Sequence, residues 1–313
     1  MLEFTKINVG GRVETKAMEN YSPETFGNGT LIGLFEPGSP AWHNARKESI
    51  GGSDISTICG LNPFQSPYHL WAVKTGKIEN TVQENWAIRF GKAFEQPILE
   101  LWQQEHPEFE VFTTGTYQDT LLPFRHANPD AIARHRETGE WVVIEVKTGR
   151  QTWESIPDGY RAQLLHYVDI LDLQRGFLVA VAGMTWYDFE IQRDDFEIGA
   201  QRQFAQEFMA CVFADQKPAW DGSESTYEAV RYQNPHIDDT EVEIDSLFLL
   251  ANAQDAYDKA EQELRYYKSQ TLDAMGQAKS AYIEIHGHRV KIASRQAKRD
   301  GLPYLVVHKR KGK

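Results

Sequence analysis

The run Trp141-Val142-Val143-Ile144-Glu145-Val146-Lys147 constrains the fold of this chain more than any other stretch. Its apolar, β-branched content makes it a strand, along which side chains alternate between two faces. Val142, Ile144 and Val146 therefore point into a core, while Glu145 and Lys147 share the opposite face. Two charges on one face of an otherwise apolar strand require a reason. Just upstream, Arg136-Glu137-Thr138-Gly139 carries turn residues, and folding the segment back about Glu137 and Thr138 makes a hairpin. In that register Ile132 lies opposite Val143, and Asp130 of Asn128-Pro129-Asp130 lies opposite Glu145. Directly opposed residues share a face, with Cβ atoms about 4.5–5.5 Å apart.

Two carboxylates that close repel unless a cation lies between them, and oxygen-only ligands suit a hard ion such as Mg²⁺ or Mn²⁺. Lys147, on the same face, is placed to hold and help deprotonate a water aimed at a phosphodiester. The plain alternative is an exposed hairpin with a surface Glu/Lys pair; the aspartate at mirror register argues against it.

A chain of 313 residues suggests about two domains. No apolar stretch reaches the roughly 18 residues of a membrane-spanning helix, and Met1-Leu-Glu-Phe lacks a basic, then apolar, leader. The expectation is a soluble protein of the cytoplasm. Cys59 and Cys211, the only cysteines, cannot supply a four-cysteine zinc or iron–sulfur site and sit in apolar settings as packing residues. The formal net charge of −12 opposes phosphate binding. A basic channel inside an acidic exterior removes that objection.

Along the chain, residues 1 to about 40 are rich in Gly, Thr, Asn and Pro and read as an arm of short strands or loops. Gly51-Gly52-Ser53-Asp54, followed by Ile55, Ile58, Cys59 and Gly60, spells a tight turn, a capped helix and a glycine stop. Free N–H groups at such a helix start, with a Ser hydroxyl and Arg46 seven residues earlier, suit an anion such as a phosphate; plain helix capping is the equal alternative. A second helix opens with Ser66-Pro67 and stops at Gly76. A longer one runs from Glu84 to about Glu105, with Phe90, Phe94, Ile98, Leu101 and Trp102 at helical spacing, a kink expected at Pro97, and Glu95 beside the stripe.

Strands follow at Phe109–Tyr117 and in the hairpin, then a helix over Gly159–Leu171, a buried strand over Phe177–Ala182 and an alternating outer strand over Tyr187–Arg193. Asp215–Asn234 reads as a linker. A long helix over Asp245–Met275 follows, its extended apolar stripe suited to a hairpin partner or a surface coiled coil. Strand signals recur at Tyr282–Glu284, Val290–Ala293 and Leu305–His308. From Arg289 onward the chain is strongly basic, through Lys298, Arg299, Lys309, Arg310, Lys311 and Lys313. That segment is expected either to track DNA backbone or to be a solvated tail.

Pro129-Asp130, fourteen intervening residues and Glu145-Val146-Lys147 resemble the PD-(D/E)XK motif of restriction-enzyme-like nucleases. Trp42-His43, Arg46, Gly51-Gly52-Ser53-Asp54, the Ser66–Gly76 helix, Gly91-Lys92-x-Phe94-Glu95 and Gln163-x-x-His166-Tyr167 narrow it further. Together, over residues 41 to about 200, they are similar to the YqaJ-like viral recombinase or lambda exonuclease family. The resemblance implies an α/β (α+β) fold, a restriction-endonuclease-like core with a mixed central sheet flanked by helices. Residues 1–40 are then an arm, 41–215 the core, and 216–313 a linker, long helix and basic β-rich extension beyond the shortest members.

It also implies a Mg²⁺-dependent exonuclease, with Mn²⁺ as substitute and two ions per site, that degrades one strand of duplex DNA from its 5′ end. The 3′ overhangs would feed a phage-type annealing protein. On this chain Asp130, Glu145 and the Val146 carbonyl would hold the central ion, with Glu95 and Asp119 beside the second. Lys147 would activate water, Gln163 would orient water or phosphate, and Arg46, Ser53 and Gly52 would bind the 5′ phosphate. The family further implies a three-subunit ring around DNA and a phage or prophage origin in a bacterial cytoplasm. A restriction-type or structure-specific endonuclease, and a non-catalytic DNA-end-binding module, are the alternatives.

Overall fold

The strand expected at 141–147 lies in the middle of a six-stranded mixed sheet. The computed structural model describes residues 18–35, 38–79, 85–297 and 301–308. They divide into two units, one ending at Ile237 and the other beginning at Asp238.

The first unit opens with β1 (Glu19–Asn20), β2 (Thr25–Phe26), β3 (Gly29–Gly33), α1 (Pro40–Lys47), α2 (Gly52–Ile58), α3 (Pro67–Lys74) and α4 (Trp86–Glu105). Then come β4 (Phe109–Thr113), β5 (Thr116–Asp119), β6 (His126–Ala127), β7 (Ala131–His135), β8 (Trp141–Gly149) and α5 (Asp158–Ile170). It closes with β9 (Arg175–Ala182), β10 (Thr185–Gln192), α6 (Asp195–Phe213) and α7 (Glu224–Gln233). The large sheet has the order β1-β4-β7-β8-β9-β10, and a smaller one the order β2-β3-β5-β6.

The β7–β8 hairpin has the expected register, with Ile132 opposite Val143 and Ala131 opposite Ile144. On the other side β8 runs parallel to β9, and α5 makes the crossover such a pair needs. Both faces of β8 are covered. Ile98, Leu99 and Trp102 of α4 pack on Val142, Ile144 and Val146, while Leu164, Leu165 and Val168 of α5 pack on Ile132, Val143 and Leu178. The face bearing Glu145 and Lys147 is thus the α5 side of a sandwiched sheet, which is why its charges are withdrawn from bulk water.

The helix starts follow local chemistry. Asn85 caps α4 by accepting from the Ile88 N–H (3.1 Å), and Ser66 caps α3 by accepting from the His69 N–H (3.1 Å). Glu84, expected as the start of the long helix, lies outside the described residues. On α4 only Ile98, Leu99 and Trp102 are buried; Phe90, Phe94 and Leu101, expected on the same stripe, are exposed.

Three boundaries differ from expectation. The strand expected over Phe109–Tyr117 is two strands in two sheets, because the chain crosses between them at Gly115. A Cβ there would lie 2.5 Å from Leu31 Cδ1 and 2.8 Å from the Gly33 carbonyl oxygen. The unit also runs to Ile237 rather than stopping at 215. Within the expected linker, α7 is capped by Ser223 and docks on α3, where the Thr226 hydroxyl donates to Ser66 Oγ (2.8 Å) and the Ser66 N–H to Ser225 Oγ (3.1 Å). Finally, the described part of the N-terminal arm is built into both sheets, with β1 paired to β4 and β3 to β5.

The second unit contains α8 (Leu247–Met275) and an antiparallel three-stranded sheet of β11 (Ser280–Ile285), β12 (His288–Gln296) and β13 (Tyr304–Val307). His286 and Gly287, both with positive φ, make the two-residue turn between β11 and β12. Of the basic residues expected at the C-terminal end, Lys298, Arg299 and 309–313 lie outside the described residues. Among the described residues no helix is long and apolar enough to cross a membrane.

Candidate active site

Asp130 sits immediately before β7, one residue beyond the last paired position, so the hairpin register carries it to the level of Glu145. Its Oδ2 accepts from the Val146 N–H at 2.7 Å, which ties it across to β8. Glu145 is 2% exposed. Its Oε1 accepts from the Gln163 side-chain amide of α5 at 2.5 Å and from the Lys147 ammonium. Its Oε2 is buried and meets no hydrogen-bond donor among the described residues. Glu95 reaches the same place from α4. It lies one turn before the buried Ile98 and Leu99, hence on the side of the helix turned to the sheet.

The electrostatics register this crowding. Burial, then the Asp130 carboxylate, push the Glu145 carboxyl up to about 8 against the opposing pull of Lys147. Burial and Asp130 likewise push Glu95 up to about 7. Asp130 is raised by burial, with Lys147 and the Val146 N–H opposing. Burial favours the free amine of Lys147, but the Glu145 and Asp130 carboxylates outweigh it and raise its pKa. Three acids and one ammonium leave the site short of positive charge.

Among the described residues no three His, Cys, Asp or Glu side chains form a ready-made metal cage. Lys147 and Gln163 occupy one oxygen of Glu145, and Val146 occupies one of Asp130. The donor set nevertheless fits a hard divalent cation. It is all oxygen, it carries excess negative charge, and Glu145 Oε2 is a buried acceptor with no donor among the described residues.

Asp119, expected beside the second ion, is placed elsewhere. It is 1% exposed, accepts from the Leu121 N–H (2.9 Å) through Oδ1, and is ion-paired to Arg125 (2.9 Å) through Oδ2. Arg125 in turn binds Asp169 (2.7 Å), which also pairs with Arg193 and Arg202. This buried network clamps the smaller sheet to α5 and α6, and both Asp119 oxygens are consumed in it.

The residues expected at a phosphate form a second cluster. Arg46 donates to Ser53 Oγ (2.9 Å), lies 3.5 Å from Asp54 and stacks 4.5 Å from the Trp42 ring centroid. The N-cap of α2 is Gly51, whose N–H is taken by Asp54 Oδ2 (3.1 Å). Burial opposes ionisation of Asp54, yet Lys74 (3.1 Å) and Arg46 hold its carboxyl at about 2. Gly52 packs directly on α5, since a Cβ there would meet the Tyr167 ring at 2.6 Å. A small pocket beside it is lined by Arg46, Gly51, Gly52, His126, Asn128 and Tyr167.

Tyr167 links the two clusters, because its hydroxyl also accepts from the Gln163 amide (3.1 Å). Sequence reasoning gave it no role, although its spacing of four from Gln163 on a helix placed both on one face. Lys74 and Tyr160 were also missed; Lys147 Nζ lies 5.3 Å from the Tyr160 ring centroid. Nothing local in the sequence marks either contact.

Residues 41–174 match the model of the YqaJ-like viral recombinase domain. The chain is 30% identical over 203 residues to the uncharacterized protein YqaJ of Bacillus subtilis, and the alignment spans 61% of each chain. It is also 34% identical over 82 residues to protein D345L of African swine fever virus, or 24% of each. The chain thus spans about three fifths of the bacterial relative and a quarter of the viral one. Among solved structures it is similar to an alkaline exonuclease from Laribacter hongkongensis, with a TM-score of 0.48 and 19% identity over 56% of this chain and 94% of that one. A phage-related exonuclease from Haemophilus somnus gives a TM-score of 0.37 and 14% identity over 59% and 92%.

Proposed function

We propose, from the match of residues 41–174 to the model of the YqaJ-like viral recombinase domain, that the protein is a divalent-metal-dependent 5′-to-3′ exonuclease on duplex DNA ends. The observation that supports this best is Glu145: buried, its carboxyl held up near neutrality, with one oxygen lacking a donor next to Asp130. A carboxylate kept in that state is poised for a cation.

Asp130, Glu145 and Glu95 would hold Mg²⁺ or Mn²⁺, with the Val146 carbonyl as a further oxygen. When bound, the ions polarise the scissile phosphodiester and offset charge on the leaving 3′ oxygen. Lys147 is the group for the attacking water. Its proton is retained because two uncompensated carboxylates face it. Once Glu145 and Asp130 are neutralised, burial alone remains, and burial favours the neutral amine that accepts a proton. Gln163, donating to both Glu145 and Tyr167, fixes the carboxylate and leaves its amide oxygen to accept from a water.

Arg46 and Ser53 would receive the 5′ phosphate, with Arg46 exchanging its bond to Ser53 for one to the ligand. The product strand, a 3′ overhang, suits a phage-type annealing protein. A homo-oligomeric ring would let a chain of net charge −12 line a channel with its cations. The deciding experiment uses linear duplex labelled at the 5′ or the 3′ end, with and without Mg²⁺. Early, Mg²⁺-dependent release of 5′ label supports the proposal. Early 3′ release, or cutting of closed circular plasmid, sinks it in favour of a different nuclease.

A further inference from the structure

We propose that α8 forms a parallel coiled coil with α8 of a second copy of this chain. The helix is 29 residues long, which at 1.5 Å per residue is about 43 Å. Leu250, Tyr257, Leu264 and Thr271 recur at intervals of seven. Ala253, Ala260, Tyr267 and Ala274 follow each by three. A helix packed on its own domain follows a period of 3.6, and its apolar stripe broadens and drifts. A strict seven-residue period instead keeps one narrow seam turned toward another helix.

The seam is uncovered. Leu250 is 66% exposed, Tyr257 64% and Tyr267 54%, and Met275 is the one buried residue of the helix. Beyond the first turn, where Phe248 stands, the positions opposite the seam, Asp255, Gln262 and Ser269, are polar. That contrast is what separates a face to be buried from a face to be wetted.

Charge chooses the partner and its direction. Glu263 and Lys268 flank the seam on opposite sides, five residues apart. In a parallel pair this is the spacing at which one helix's flank meets the other's, so Glu263 of each copy faces Lys268 of the other. An antiparallel pair centred on the same seam would oppose Glu263 to Glu263 and Glu261 to Glu261. The arrangement is thus self-complementary in one direction and repulsive in the other.

The test uses the full chain with Cys59→Ser and Cys211→Ser as background, and single Ala253→Cys (seam) or Asp255→Cys (outward face) variants under mild oxidant. In a parallel pair residue 253 opposes itself at an effective concentration of about a millimolar. At micromolar protein it should therefore cross-link about 100-fold faster than residue 255. Adding Leu264→Glu to the Ala253→Cys variant should slow the cross-link to the rate of residue 255. Equal slow rates at 253 and 255, or a fast rate at 253 that ignores Leu264→Glu, would overturn the proposal. An oligomer held together only through the first unit gives the equal-rates result.

Discussion

Glu145→Gln should stabilise the protein in chelator while abolishing any metal-dependent cleavage. Glu145 is 2% exposed, and its carboxyl lies at about 8 in the fold against 4.5 for the free side chain. A carboxyl raised on folding contributes fully below pH 4.5, and the contribution is lost as pH rises through about 8. Each tenfold change in proton affinity between the folded and unfolded chain is worth about 1.4 kcal/mol, which gives about 3 kcal/mol of destabilisation by pH 7. The amide must replace a carboxyl that accepts from both Lys147 and Gln163, which offsets part of this, so the net gain is on the order of 2 kcal/mol. For a domain of this size that raises Tm by about 4–8 °C. The assay is thermal unfolding of both proteins in EDTA from pH 4.5 to 8. Their difference should be near zero at the acid end and grow toward pH 8. Adding Mg²⁺ should then raise the Tm of the wild type and leave the variant unmoved. A difference independent of pH, or a variant less stable than the parent at pH 8, would refute the idea that Glu145 is a strained, unneutralised acid.

Three further outcomes separate the roles of neighbouring groups. Lys147→Ala should bind duplex ends as the parent does and lose nearly all turnover; normal turnover would remove Lys147 from the chemistry. Arg46→Ala should erase the rate preference for 5′-phosphorylated over 5′-hydroxyl ends, read from competing substrates, and an unchanged ratio would leave Arg46 as the partner of Ser53 and Asp54 alone. Asp119→Asn should lower the unfolding free energy by about 2–3 kcal/mol, because it leaves half the charge of buried Arg125 uncompensated. The Mg²⁺ concentration giving half-maximal cleavage should not move, whereas a change of several-fold would restore Asp119 to the metal.

How far the site could be read from the sequence depends on the distance over which its geometry is set. The register placing Asp130 level with Glu145 is written in one hairpin, whose strand period and turn residues leave a single way to fold it, and Ile132 lies opposite Val143 as that logic requires. Glu95 and Gln163 were named through the family resemblance and not from spacing, which on α4 also placed the exposed Phe90, Phe94 and Leu101 on the buried stripe. Asp119 fails on the same criterion. Its eleven residues of separation from Asp130 say nothing about which sheet it joins, and the crossing at Gly115 puts it on β5, facing Arg125. Arg125 in turn pairs with Asp169, forty-four positions away, and Asp169 with Arg193 and Arg202. A carboxylate in such a network and a carboxylate awaiting a cation have the same sequence signature, an acid among apolar residues. What separates them is whether an arginine is brought to the second oxygen, and only the packing of α5 and α6 on the sheets decides that. The unpartnered Oε2 of Glu145 and the fully engaged Asp119 are the two outcomes of that one physical choice within the same domain.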